Sequence, residues 1–405
     1  MTGSVLFYVQ HLLGIGHLRR ALRIVDALAQ EGIGVTLVSG GEPLPILASA
    51  GAEGVLQLSP IRTRDARFKH LVDADGRPVN AKLWDIRRTA LLTAFAAARP
   101  DAVLIEAFPF GRRAFRFELD PLIEAARSRR PRCLVLCSLR DIVVAPQEVT
   151  RCREIVRRVR ADFDFVLVHG DPVYIPLEAS FPLASLIADR LVYTGYIGGA
   201  AEANPVDEAA GTDEVLVSAG GGAVGGRLLE TALETRRQGF LASLKWRLLA
   251  GPNLPDAEFG ALAAGLPEGV ILERFRGDFP QMLRRCRVSV SQAGYNTVLD
   301  ILEARAAAVV VPFAAQRETE QSLRAERLAA RGAIGLVRES ELSPERLADA
   351  IDHAIIRGPG SVAIDTGGAR RTAAVMAALI RLPASMTRYG VEDFQLRGTG
   401  DMIPS

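Results

Sequence analysis

Apolar residues fall along this chain in two alternating textures. Short continuous runs are bounded by glycine or charge, and between them lie stretches where apolar side chains recur every third or fourth position. Residues 4–9 form the first run. A glycine-containing loop at 11–17 follows, after which Leu18, Ala21, Leu22, Val25, Leu28 and Ala29 share one helical face. Glu31-Gly32 ends that helix and residues 35–38 make the next run, so the chain opens as a strand–helix–strand unit. Further runs predict strands at 101–105, 133–139, 165–169 and 191–195, and again at 215–218, 244–249, 271–275, 288–291 and 308–311. Helices are predicted at 148–160, from 227, at 296–304, from the cap-then-proline signal Ser343-Pro344, and over 368–381. Strands alternating with helices build parallel sheets, an α/β fold. Residues 198–211 are small and polar and read as a linker. The expected division is a first domain at 1–197, a linker at 198–212, a second domain at 213–366, and a closing helix with an irregular tail at 367–405. Residues 61–88 are charged and broken by Asp75-Gly76, and read as a solvated excursion.

The chemistry concentrates where strands end. Ala293-Gly294 is a tight glycine turn between a strand and the helix that begins near Asn296, with Thr297 in its first turn. Such a turn leaves unpaired backbone N–H groups and the positive end of the helix dipole facing a ligand, which suits a phosphate. Asp300 lies one turn further on, where a carboxylate reaches ribose hydroxyls in dinucleotide folds. A second glycine cluster follows the strand ending at Ser218: Gly220, Gly221, Gly222, Gly225 and Gly226 make five glycines in seven residues. That density allows a pyrophosphate to approach the backbone, although a flexible turn explains part of it. In the first domain, His17 stands at a helix N-terminus, where the dipole favours its neutral form; it is either a general base or a helix cap. Glu106 closes a strand and is either a second base or acceptor contact, or a cap or ion-pair partner. His169 and Asp171 lie at another strand end with the same ambiguity, and His11 reads as a polar loop contact. Arg112, Arg113 and Arg116 interleave with Phe110, Phe115 and Phe117, a solvated arginine face or a contact for anionic headgroups.

Composition narrows the classes. At 405 residues the chain accommodates two domains, and a net charge of +2 gives no electrostatic case for nucleic acid. Lysine occurs only at Lys69, Lys82 and Lys245, so nearly all positive charge is arginine, read chiefly as genomic bias. Cys133, Cys137, Cys152 and Cys286 show no metal spacing and read as reduced core residues of a cytoplasmic protein, and the five histidines do not cluster. No leader and no membrane-length apolar run is expected.

At these residues the chain resembles the C-terminal half of GT-B glycosyltransferases of the MurG kind, which make lipid II. Their pattern stands here as Ala293-Gly294, Thr297, Asp300, Val311-Pro312-Phe313, Glu320-Gln321 and Gly332-Ala333. Asp300 replaces the usual glutamate and Glu320 the first of two paired glutamines, departures that bear on which sugar is bound. Gly14-x-Gly16-His17-x-x-Arg20 is similar to the N-terminal loop of the same enzymes. It is still more similar to that of the hydrolase that removes UDP from an amino sugar in pseudaminic acid synthesis. The resemblance implies two Rossmann-like domains facing each other across a cleft, with residues 368–381 crossing back to the first. It implies a glycosyltransferase using a nucleotide sugar, a UDP-sugar by the family's habit, and inverting the anomeric centre. The donor would be held by Gly14, Gly16, Ser218, Gly220, Gly221, Gly222, Ala293, Gly294, Asn296 and Thr297. Phe275 and Arg276 would flank the base, Asp300 would take the ribose, and Glu320 and Gln321 the sugar hydroxyls. His17, or Glu106, would deprotonate the acceptor hydroxyl. No metal and no cofactor beyond the nucleotide sugar is expected, because backbone donors take a metal's place. The acceptor is a small molecule, a glycan or a lipid-linked sugar, and the protein is at most peripheral to the inner face of a membrane. A hydrolase with His17 activating water, a non-hydrolysing epimerase of the same fold and a non-catalytic nucleotide-sugar-binding subunit are the rival readings.

Overall fold

The computed structural model describes residues 3–12, 16–49, 51–63, 70–143, 148–198, 207–220, 225–314, 319–360, 362 and 364–382. The chain divides into two units, Met1–Ile197 with Gly367–Ser405, and Gly198–Thr366.

The first unit runs β1 (Gly3–Val9), α1 (Gly16–Gln30), β2 (Ile33–Ser39), β3 (Gly54–Gln57), a small antiparallel pair β4 (Arg62–Thr63) and β5 (Leu71–Val72), α2 (Ala81–Ala98), β6 (Ala102–Glu106), α3 (Arg116–Ser128), β7 (Leu134–Arg140), α4 (Val149–Asp162), β8 (Phe165–His169) and β9 (Leu191–Tyr193). Seven of these strands form one sheet in the order β3-β2-β1-β6-β7-β8-β9, every pair parallel. Strands covered on both faces need apolar side chains in both directions, which is why they read as unbroken apolar runs. Alternation sends Val5, Phe7 and Val9 of β1 into a core with α1, and Leu6 and Tyr8 into the opposite core with α2, α3 and α4. On α1 the buried residues are Leu18, Ala21, Leu22, Ile24, Val25, Ala27 and Leu28, together with Arg20. Ala29 is exposed, one step beyond the buried stripe.

The described residues of 61–88 are mostly solvated, as their charge suggested, but they are not an irregular excursion. They hold the β4–β5 pair and the first half of α2, capped by Asn80, whose side chain accepts from the Leu83 N–H at 3.0 Å. The buried stripe of α2 is Arg87, Leu91 and Phe95 at spacing four, so a charged residue occupies a core position and masks the helical period. The Phe/Arg tract is also reassigned. Phe110 and Phe115 are core residues and Phe117 packs on Trp84 with ring centroids 3.9 Å apart, so these aromatics do not form an exposed patch with the arginines.

The second unit runs β10 (Val215–Ser218), α5 (Gly226–Thr235), β11 (Trp246–Leu249), α6 (Asp256–Ala263), β12 (Val270–Glu273), α7 (Phe279–Leu283), β13 (Val288–Ser291), α8 (Tyr295–Ala304), β14 (Ala308–Val310), α9 (Glu320–Ala329), β15 (Gly335–Leu336) and α10 (Pro344–Arg357). Its strands form a parallel sheet in the order β12-β11-β10-β13-β14-β15. One face packs α5 and α10 around Trp246, Leu248, Val290 and Ile351, and the other packs α7, α8 and α9 around Leu216, Val298, Val310 and Leu328. Each unit is therefore a Rossmann-like layer structure in its own right.

The last helix, α11 (Gly368–Arg381), returns to the first unit and packs Ala373, Met376 and Leu379 into the α1 core. Its start is tied down twice: the Gly368 N–H donates to Tyr196 O at 3.0 Å and Arg371 Nη1 to Thr194 O at 3.2 Å. A Cβ at position 368 would lie 2.4 Å from Gly195 O and 2.7 Å from Tyr196 O, both backbone atoms that cannot swing aside. Gly368→Ala is expected to destabilise the first unit by ~1–3 kcal/mol, as overpacking does. A thermal melt of purified variant against wild type checks this.

Candidate active site

In an open parallel sheet, ligands bind beyond the carboxyl ends of the strands where the strand order reverses. In the first unit that point lies between β1 and its neighbour β6. The segment after β1 leads into α1, whose second residue is His17, and β6 ends on Glu106. These residues, 89 apart in sequence, meet: His17 Nδ1 lies 2.9 Å from Glu106 Oε1. Glu106 is fully buried and the His17 side chain retains 23% exposure. The same Glu106 oxygen accepts from Arg20, one turn along α1 from His17, and its other oxygen accepts from Ser138 on β7.

A carboxylate in this setting only accepts, so the Glu106 contact places the proton on His17 Nδ1 and leaves Nε2 unprotonated; Arg20 Nη2, also 3.1 Å from Nδ1, donates to the same Glu106 oxygen, its shorter contact. Burial pushes the His17 pKa down to about 4; the Glu106 hydrogen bond opposes this, and Arg112 and Arg20 reinforce it. The imidazole is thus neutral at ordinary pH, with Nε2 unprotonated. Burial alone would favour protonated Glu106, but Arg20 and the bonds from His17 and Ser138 outweigh it and hold the carboxyl well below the usual carboxylate range. His169, buried at the end of β8, is pushed down to about 3 by burial and by Arg20.

These shifts fix the sign of a pH dependence. The two histidines bind protons more weakly folded than unfolded, so between their depressed values and the ordinary 6.5 the unfolded state holds more protons. Stability is then lost as pH falls below about 6.5, and Glu106 adds to the loss once unfolded carboxylates begin to protonate. The melting temperature is expected to be flat from pH 8 to 7 and to fall progressively toward pH 4, with His169→Asn flattening part of the slope.

Beneath this site a second buried cluster fixes the loops. Arg87 and Glu118 are both fully buried, with Arg87 Nη2 2.7 Å from Glu118 Oε1 and Nε 3.0 Å from Oε2. Arg87 also donates to Gln10 Oε1 at 2.8 Å and to Gly40 O at 2.9 Å, and Tyr8 OH donates to Glu118. Gln10 in turn donates to His11 O at 2.9 Å, and its own carbonyl accepts from Arg112 Nε at 2.9 Å. One ion pair thereby joins the segments following β1 and β2 to α2 and α3. His11 is buried against Gly41, where a Cβ would lie 2.5 Å from the ring, so it is a packed residue of this floor. Asp171 makes a local turn, accepting from the Val173 N–H at 2.9 Å.

In the second unit the order reverses between β10 and β13. Ser218 ends β10 and its Oγ accepts from the Gly220 N–H at 3.3 Å; Gly220 has φ +72° and an open Cβ direction, with Gln292 Oε1 nearest at 3.9 Å. After β13, Gly294 caps α8 without a side-chain hydrogen bond, and the helix presents Asn296 and Thr297 and, one turn on, Asp300 as half-buried side chains. Gln321 has a use that sequence reading did not foresee. Its Oε1 accepts from both the Ala293 N–H at 3.0 Å and the Phe313 N–H at 3.1 Å, tying the segment after β13 to the segment after β14. Glu320 is buried on Arg324 at 2.9 Å, and Arg324 donates to Ala293 O at 3.1 Å while lying over the Tyr295 ring. Phe275 is 58% exposed, and Arg276 beside it is engaged by both oxygens of Asp278 at 2.8 Å. Gly16 is the first residue of α1, whereas Gly14, Gly221 and Gly222 lie outside the described residues.

Among the described residues no cluster of three metal-ligating side chains occurs. Two Asp-x-Asp sequences, at 73–75 and 162–164, stand in structural settings. Asp73 accepts from the Arg77 N–H in a turn, and Asp164 binds Arg132 and the Val135 N–H. The four cysteines are free thiols, three of them buried. No helix among the described residues is long and apolar enough to cross a membrane.

Residues 217–358 match the glycosyltransferase family 28 C-terminal domain. Among curated proteins, the chain is 28% identical over 127 residues to the UDP-N-acetylglucosamine--N-acetylmuramyl-(pentapeptide) pyrophosphoryl-undecaprenol N-acetylglucosamine transferase of Rhizobium etli, covering 31% of this chain and 34% of that protein. It is 37% identical over 81 residues to the protein of the same description from Brucella anthropi, covering 20% and 22%. The match spans about a third or less of these relatives' length. Among solved structures, MurG of Acinetobacter baumannii aligns with a TM-score of 0.57 at 17% identity, covering 93% of this chain and 99% of that one. The calicheamicin glycosyltransferase CalG4 aligns with a TM-score of 0.56 at 17% identity, covering 93% and 94%. The fold is GT-B.

Proposed function

We propose that this chain is a glycosyltransferase that moves a sugar from a nucleotide sugar to an acceptor hydroxyl. The observation that carries the reading is the His17–Glu106 pair. A neutral imidazole is fixed through Nδ1 by a buried carboxylate and keeps Nε2 for a proton, the arrangement a general base needs. Glu106 orients the base and stabilises the imidazolium that forms, while His17 takes the acceptor's proton as the acceptor oxygen attacks the anomeric carbon and the nucleoside diphosphate leaves with the electron pair of the broken C–O bond. The family 28 match across the second unit supports a nucleotide-sugar donor there, with UDP favoured by the description of the curated relatives. Gly294 and the uncapped first turn of α8 would face the diphosphate, with Gly220 beside it and Asp300 on the ribose. With backbone donors at the diphosphate, transfer would proceed without a divalent ion, in one displacement that inverts the anomeric centre. The acceptor is a hydroxyl compound of small-molecule, glycan or lipid-linked type, and a lipid-linked acceptor would bring the protein to a membrane surface.

Gln321 supports the donor segments through backbone, so its loss should act on binding. Gln321→Ala is expected to weaken UDP-sugar binding about tenfold, the effect of leaving buried amides unpaired, as read by calorimetric titration. The hydrolase reading rests on the resemblance carried by Gly14-x-Gly16-His17-x-x-Arg20; in the structure Arg20 and His17 both bind Glu106. Incubation with a panel of UDP-sugars and mass-spectrometric detection of UDP separates the two. Slow UDP release in water, accelerated by an acceptor extract, supports the transferase. Rapid stoichiometric formation of free sugar without acceptor would replace it with the hydrolase.

A further inference from the structure

We propose that His169 is a positioning residue for the base. Through Ser138 and Glu106 it fixes which nitrogen of His17 carries the proton. The inference rests on the reading of His17 as a base and adds a row of side chains that this reading leaves unused.

Residues at the carboxyl ends of β6, β7 and β8, and just beyond β9, form a buried polar row. Glu106 and Ser138 are register partners, and period-two alternation turns Glu106, Ser138, His169 and Thr194 to the same face as Leu104, Leu136 and Leu167. The α1 core thus ends in a polar edge where α1 brings His17 and Arg20. All four residues of the row are fully buried. Ser138 Oγ lies 2.9 Å from His169 Nε2, and His169 Nδ1 lies 2.8 Å from Thr194 Oγ1.

One boundary condition assigns the protons along the row. Glu106 is a carboxylate and only accepts, so the single Ser138 proton goes to Glu106. Ser138 must then accept from His169, which puts a proton on Nε2. Nδ1 is left as the acceptor of the Thr194 hydroxyl, for which it is the shortest contact; Val168 O and Gly195 O lie at 3.4 and 3.3 Å. In the other tautomer, His169 would draw the Ser138 proton away and turn an oxygen lone pair toward Glu106. That carboxylate would lose the bond that fixes the orientation of its plane, so its other oxygen, though a stronger acceptor, would no longer be held in line with His17 Nδ1. The charged groups acting on His17 are Glu106 from β6, Arg20 from α1 and Arg112 from the segment after β6. Burial of the Ser138–His169 pair excludes it as a nucleophilic centre, and neutral His169 is a fixed dipole rather than a proton carrier.

The test reads His17 directly in the ligand-free protein, by long-range nitrogen–proton correlation on 15N-histidine-labelled samples, with His17 assigned from His17→Gln. His169→Asn keeps an amide for Thr194 but stops short of Ser138, whereas His169→Gln returns an N–H toward Ser138. The wild type and His169→Gln are expected to show His17 protonated at Nδ1 only. His169→Asn and Ser138→Ala should both show an average of two tautomers. Alongside this, kcat should fall about tenfold at unchanged KM in His169→Asn, a small part of what a general base contributes. A His17 signature in His169→Asn identical to wild type overturns the proposal, whatever Ser138→Ala does. Should His17→Ala leave turnover intact, the base reading fails, while the tautomer measurement still decides the role of His169.

Discussion

His17→Ala is expected to lower the rate of sugar transfer by a factor of ~10²–10⁴, the range removed with a general base, while UDP binding stays within twofold of wild type. The separation follows from placement. His17 belongs to the first unit and its partners are Glu106 and Arg20, whereas the candidate nucleotide contacts other than Gly14 and Gly16 belong to the second unit. Glu106→Gln tests the orienting role separately. A neutral amide can present its own N–H to His17 Nδ1 and select the wrong tautomer, so its rate loss should approach that of His17→Ala even though the imidazole remains. Steady-state rates with saturating donor, beside calorimetric titration of UDP, check both. Equal losses in rate and in UDP affinity would mean that His17 binds rather than reacts.

Glu118→Ala is expected to produce the largest loss of stability, ~3–5 kcal/mol, the cost of stranding one partner of a buried ion pair. Arg87 would keep its charge with no exposure and would lose two contacts, at 2.7 and 3.0 Å. Tyr8 would lose the acceptor of its hydroxyl. Replacing both charges with apolar residues, Arg87→Met with Glu118→Leu, should recover part of the loss, because no unpaired charge remains. Thermal and urea unfolding of the three proteins measure the difference. A double variant no better than Glu118→Ala alone would show that the wider network to Gln10 and Gly40, rather than the charge pair, holds this region together.

The elements that sequence made legible are those whose burial is simple. Strands at 165–169 and 215–218 and the helix at 368–381 stand where their apolar patterns placed them, because a strand covered on both faces tolerates little but apolar residues. β3 was missed because it is only partly buried, and α2 because Arg87 occupies its core stripe. The glycine turn at Ala293-Gly294 was legible as a strand-to-helix turn, since a strand, a glycine and a helix start within a few residues. Contacts made by topology were not. Nothing local connects His17 with Glu106 or Ser138 with His169; adjacent parallel strands bring Glu106, Ser138 and His169 together, and α1 adds His17. Gln321 illustrates a further limit. A side chain expected to hold sugar hydroxyls accepts two backbone amides with its oxygen, contacts that only the fold reveals. Arg20 carried a readable signal, one helical turn after His17, but its target on β6 did not.

Calorimetric titration of UDP into the wild type and Asp300→Ala tests the central claim most directly, because the donor reading of the second unit underlies the assignment of the chemistry to the first. The account predicts one UDP bound per chain, with affinity reduced about tenfold in Asp300→Ala, the cost of a lost charge-assisted contact to ribose. Absence of binding by UDP and by every other nucleoside diphosphate tried would contradict it.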